Sequence, residues 1–180
     1  MEGHYSLAKE INMPLYAHTQ EKEGKPFVHC PKGEYIAVCV DVEDMGLHNP
    51  DKHANGTIRF SFEVDKLQAD GSRYIIRKKV HNTMGKLANM RKLVRNLTGK
   101  EPPTGAGLKK YDLEKECIGQ AARIDVCQNE EVKDQNGNLI SWLDVNTMKE
   151  KGDALKPLEG EHEYKRPEKF EADQENSSAW

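Results

Sequence analysis

Ile58-Arg59-Phe60-Ser61-Phe62-Glu63-Val64, followed by Ala69-Asp70-Gly71-Ser72 and then Arg73-Tyr74-Ile75-Ile76-Arg77-Lys78-Lys79-Val80, is the stretch that decides the architecture. In the first run Ile58, Phe60, Phe62 and Val64 fall on one side and Arg59, Ser61 and Glu63 on the other, the period of a strand with one buried face. Asp70-Gly71 is a pair that tolerates positive φ, so residues 73–80 are predicted to return antiparallel as a hairpin. In this third strand both faces mix apolar with basic residues. Whether Tyr74/Ile76/Lys78 or Arg73/Ile75/Arg77/Lys79 point outward stays open at this level.

Upstream, Tyr35-Ile36-Ala37-Val38-Cys39-Val40-Asp41-Val42 reads as another strand, with Ile36, Val38, Val40 and Val42 expected inward. A polar loop, His48 to Gly56, separates it from the second strand. Downstream, Asn82 or Thr83 is expected to cap a helix reaching Leu97, with Leu87, Met90, Val94 and Leu97 as its apolar stripe and Lys86, Arg91, Lys92 and Arg95 opposite. Thr98-Gly99 ends it. Residues 100–107 hold two prolines and two glycines and read as loop, and 112–117 as one or two helical turns stopped by Gly119. Strands 120–128 (Ala122, Ile124, Val126 inward) and 139–147 (Leu139, Leu143, Val145 inward) complete the domain, joined at Asn136-Gly137.

Strand, strand, strand, helix, strand, strand is the element order of the OB-fold, so the expected architecture is mostly β, an OB-like five-stranded Greek-key barrel with one central helix. The expected division is an N-terminal arm over 1–32, one OB-like nucleic-acid-binding domain over 33–147, and a disordered acidic tail over 148–180. That last segment has nine Asp/Glu, six Lys/Arg and few apolar groups to offset ordering entropy.

The net charge of −3 conceals an uneven distribution. Residues 66–110 carry twelve Lys/Arg against Asp70 and Glu101, a local +10 that leaves −13 for the rest. A basic block in an acidic chain is the footprint of a polyanion site, because neutralising phosphates releases counterions. A solvated basic helix face is the plainer reading of the same run.

Other classes find little support. No stretch approaches the roughly 20 apolar residues needed to span a bilayer, and the first thirty residues lack a signal peptide's basic start and apolar run, so the expected home is the cytoplasm, with no membrane partner. Cys30, Cys39, Cys117 and Cys127 have no CxxC spacing and the histidines no i, i+4 pair, so neither metal nor cofactor is expected. Asp41, Glu43 and Asp44 invite comparison with magnesium ligands, yet no lysine or histidine stands at a recognisable spacing. GxxxxGK[ST], GxSxG and HExxH are absent from the sequence, and the chain reads as a non-enzyme.

Gly33-Glu34-Tyr35 through Val38-Cys39-Val40-Asp41-Val42 to Gly46, Met90-Arg91-Lys92-Leu93 to Gly99, and Tyr111-Asp112-Leu113-Glu114-Lys115 to Gly119 resemble a family of small phage and prophage proteins. That family is similar in layout to the single-stranded DNA-binding proteins of phage replication and recombination modules. The resemblance covers about residues 33–147. Asn96-Leu97 stands where an aromatic is expected, and the third strand is longer and more basic than the pattern. The resemblance implies an OB-like fold and single-strand binding, without showing which side chains touch DNA. The chain also looks similar to bacterial single-strand binders in its tail: Glu171, Asp173 and Glu175 precede Trp180, an arrangement that recruits replication or recombination proteins. The tip lacks the usual proline and phenylalanine, and an inert solubilising tail is the alternative.

Sequence-tolerant single-strand binding needs cations for phosphates and flat rings for bases. Opposite the aliphatic strand faces stand Tyr35 and Cys39, Arg59, one set from the third strand, Arg123 and Trp142. The candidate contacts to DNA are therefore Tyr35, Arg59, Arg73, Tyr74, Arg77, Lys78, Lys79, Lys86, Arg91, Arg123 and Trp142. Trp142 and Tyr74 have the alternative of filling the barrel core, and Arg59 of pairing with Glu63 or a neighbouring carboxylate. Self-association would lengthen such a groove. The competing function is a protein-interaction adaptor or host-defence inhibitor on the same barrel.

Overall fold

Alternating residues with bulky β-branched and aromatic side chains form five strands: β1 (Gly33–Gly46), β2 (Thr57–Leu67), β3 (Arg73–His81), β4 (Ala121–Lys133) and β5 (Leu139–Leu143). The computed structural model describes residues 28–47, 56–134, 137–149 and 154–166. The expectations for 1–27, for the loop 48–55, for Asn136 and for the tail tip with Trp180 lie outside the described residues. Between β3 and β4 come α1 (Asn89–Thr98), a 3-10 turn (Gly105–Lys110) and α2 (Leu113–Cys117).

All neighbouring strands are antiparallel, in the spatial order β3-β2-β1-β4-β5. The sheet curls until its two outermost strands approach each other, and Lys78 Nζ of β3 donates to the Leu143 carbonyl of β5 at 2.9 Å. The protein is thus mostly β and barrel-like, with its helices inserted between the third and fourth strands.

The core takes Phe60, Phe62 and Val64 from β2, Ile76 and Val80 from β3, Ile124 and Val126 from β4, Leu143 from β5, and Val145 just beyond it. Met90, Leu93, Val94 and Leu97 of α1 plug it from one side. Gly99 ends α1 at φ +70°, its N–H donating to the Arg95 carbonyl, the C-terminal geometry that glycine adopts at no steric cost. At the mouth of β1 and β2 the chain also requires glycine: Gly56 has φ +73°, and a Cβ there would lie 2.7 Å from the Gly46 carbonyl oxygen.

Three expectations are corrected here. First, β1 does not bury Ile36, Val38, Val40 and Val42 as one face. A bulge between Cys39, opposite Phe62, and Asp41, opposite Ser61, shifts the register by one. Ala37 and Cys39 point inward before it and Val42 after it, while Asp41 lands on the outer face. Second, α1 begins at Asn89, not at Asn82 or Thr83, and Leu87 is 86% exposed. Third, residues beyond 147 are not uniformly without structure. Met148 is buried in the core, and 154–166 lie across the outer faces of β1 to β3. Sequence composition undercounted that segment because polar contacts, rather than apolar burial, hold it.

Candidate nucleic-acid interface

Register decides what strand alternation left open. Arg59 pairs with Lys79, Ser61 with Arg77 and Glu63 with Ile75, so Arg77, Lys79 and Ile75 share the outer face with Arg59. Arg73 continues the same row at the far end, and Ile76 and Val80 are buried. Tyr74 packs half-buried against the core, and Lys78, on the inward parity, bridges to β5. The outward set is therefore Arg73/Ile75/Arg77/Lys79.

Several candidates are committed to structure. Tyr35 shares its parity with Ala37 and Cys39, packs against the core and donates its hydroxyl to the Pro31 carbonyl at 3.1 Å. Cys39, placed with it on the outer face by the sequence, is fully buried, and desolvation raises its thiol pKa steeply. Arg91 is 6% exposed, against its expected place on a solvated basic face. Its guanidinium donates to Glu101 at 2.6 Å, the Pro102 carbonyl at 2.7 Å and the Met84 carbonyl at 3.1 Å. With α1 starting only at Asn89, Arg91 lies in its first turn and ties down the loops on either side.

The outer face carries a row of carboxylates alongside the cations. Arg59 pairs with Glu43, which is 3% exposed, rather than with Glu63. Arg73 donates to Glu63 at 3.3 Å and to the Lys156 carbonyl at 2.6 Å. Arg123 meets Glu34 at 2.9 Å, and Lys149 meets its other oxygen at 2.6 Å. These two hydrogen bonds, Lys149's first, hold the exposed Glu34 carboxyl below its ordinary pKa.

Residues 154–166 complete the cover over this acidic row. The Leu158 amide donates to Glu63 at 2.9 Å, the Tyr164 hydroxyl lies within hydrogen-bond distance of Asp41 and Ser61, and Arg166 grips Asp41 through both Nε and Nη2. No periodicity in the sequence marks these contacts, which join positions more than 90 apart. Further along the β3 row stand Arg77, half-buried opposite the Ser61 that Tyr164 reaches, and the exposed Lys79. Trp142, 38% exposed, pairs with Cys127 on β4. Its chain neighbour Leu143 accepts the hydrogen bond from Lys78 of β3.

At the end of that row two clefts adjoin. One, of about 380 Å³, is lined by Lys78, Lys79, His81, Thr57, Leu87 and Asn89 among others. The second, of about 300 Å³, is lined by Met84, Met90, Leu108, Tyr111 and Leu113, with Asn82 on its polar side, and Thr83 borders both clefts. Of these residues only Lys78 and Lys79 were candidates; the late start of α1, which opens the first cleft, left no mark in the helical pattern. Lys86 is exposed on the connection from β3 to α1 and lines neither cleft.

Among the described residues no three His, Cys, Asp or Glu side chains are placed to hold a metal ion, and no helix is long and apolar enough to cross a membrane. Comparison of the chain with models of known protein families and with curated proteins finds no match to either.

Proposed function

We propose that the chain is an OB-type barrel that binds single-stranded DNA with little regard for base sequence, in replication or recombination of the phage type. The observation that carries this reading is the basic outer row of β3, ending in the exposed Lys79, together with the exposed ring of Trp142 on β5, the strand whose Leu143 carbonyl accepts from Lys78 Nζ. The spatial order β3-β2-β1-β4-β5, with the first and last strands approaching, supports the OB assignment. Phosphates run along the β3 cations, and bases stack on Trp142.

The ion pairs Arg59–Glu43, Arg73–Glu63 and Arg123–Glu34 temper this reading and favour a second one, a protein-binding adaptor, because they remove charge from the sheet face. One titration separates the two. Tryptophan fluorescence of the wild type, and the anisotropy of an end-labelled dT oligomer of about 30 nucleotides for the wild type, Trp142→Ala and the double substitution Arg77→Ala/Lys79→Ala, are followed at low and moderate salt. Single-strand binding gives quenching that weakens steeply with salt. Trp142→Ala costs about tenfold or more in affinity, and the double substitution lowers the salt slope by about two. An adaptor ignores the oligomer at moderate salt.

A further inference from the structure

The two adjoining clefts differ in chemistry in a way that matches the two halves of a nucleotide. Lys78, whose Nζ donates to the Leu143 carbonyl of β5, and Lys79 both line the first cleft, with His81 beside them. Among the described residues lining this cleft none is acidic. Thr57 lines it too. The start of the ten-residue α1 opens into the same space. Ala88 stands at its N-cap without a capping side chain, and the first turn carries no acid. Unpaired helix N–H groups add positive potential where the lysines already place it. The neighbouring cleft is walled by Met84, Met90, Leu108 and Leu113, with the half-buried ring of Tyr111, and it carries Asn82 and Thr83 as polar rim. Its volume, about 300 Å³, is ample for one nucleobase.

We infer that these two clefts together hold one nucleotide unit of the bound strand, its phosphate between Lys79 and Asn89 and its base against Tyr111, with the sugar passing Thr83. This subsite rests on the single-strand reading and extends it, since it anchors the strand at the end of the β3 row. A free nucleoside monophosphate offers the same chemistry and is the simplest probe.

The test uses the full chain and a substitution that leaves the fold better off. Ala88→Asp supplies the missing N-cap, so the melting temperature rises, while its carboxylate occupies the phosphate position. The expected result is about tenfold weaker binding of the dT oligomer at moderate salt despite the raised melting temperature. In a second arm, NMR follows the wild type with thymidine 5′-monophosphate or with inorganic phosphate. The nucleotide moves the Asn89 amide, the Tyr111 ring and the Met84 and Met90 methyls, whereas phosphate alone moves only the amide. If the wild type binds the oligomer while Ala88→Asp binds equally well, or the Tyr111 and methionine signals stay fixed, the subsite is wrong and the single-strand reading stands. If the wild type binds no oligomer at low salt, both fall.

Discussion

Arg91 shows how much one residue's meaning depends on where its helix begins. On a helix from 83 to 97 it belongs to a solvated basic face; on the observed α1 it sits at the inner edge of the first turn and satisfies the carbonyls of Met84 and Pro102 as well as Glu101. We expect Arg91→Ala to cost about 2–4 kcal/mol in urea unfolding, because it strands several acceptors in a closed site. Arg91→Lys recovers only part, since an ammonium cannot span all of them. Gly56→Ala forces a side chain into positive φ and against the Gly46 carbonyl. A loss of about 1–3 kcal/mol, read as a lowered melting temperature, is the expected outcome.

At the scale of elements, the strands were legible because their period is local: the alternation of β2 predicts its core-facing residues, and Ile58, Phe60, Phe62 and Val64 are all in the core, while Ser61 and Glu63 of the outward parity are buried as well, beneath residues 154–166. The β1 bulge was not legible, since apolar residues occupy both parities and only pairing with Phe62 and Ser61 reveals the shift. On α1 the periodic stripe named Leu87 and Leu97 alike, yet one is 86% exposed and the other fully buried. Leu97→Ala is therefore expected to destabilise by about 2–5 kcal/mol and Leu87→Ser by less than about 0.5, both from denaturant midpoints. The start of α1 escaped the sequence because Asn82 and Thr83 look like caps and Ala88 does not. Tertiary contacts, not a local signal, set the boundary.

At the scale of the whole molecule, residues 154–166 tie distant parts of the chain together, and the buried free thiols make its stability depend on pH. Arg166→Ala leaves the Asp41 carboxylate, 5% exposed as a residue, without its main partner. A loss of about 1–3 kcal/mol is expected, below the cost of fully buried pairs because Arg166 itself is 45% exposed. Limited proteolysis that cuts sooner after Glu163 in this variant would check that the segment lifts. Burial also pushes the Cys30 thiol up to about 11 and the Cys117 thiol up to about 12, from an ordinary value of 9.0. Raised folded-state values mean that stability is intact below about pH 9 and declines as pH rises toward 11 and 12, where unfolded thiols ionise and folded ones do not. The slope is about 1.4 kcal/mol per pH unit for each such thiol. Thermal unfolding between pH 8 and 11 should show this decline, and Cys117→Ala should make it shallower.

The basic block at 66–110, the hairpin at Asp70-Gly71 and the order of strands and helix followed from the sequence alone, because charge, turn chemistry and period are written in neighbouring residues. Which face of β3 looks outward, which cations are neutralised and what covers the sheet were decided by tertiary structure. Arg77 is placed by Ser61, Arg59 is met by Glu43, and Asp41 is closed over by Arg166 from 125 positions away. Such partners meet only when the strands pair and the sheet curls, and no local pattern in a chain records a contact made across it.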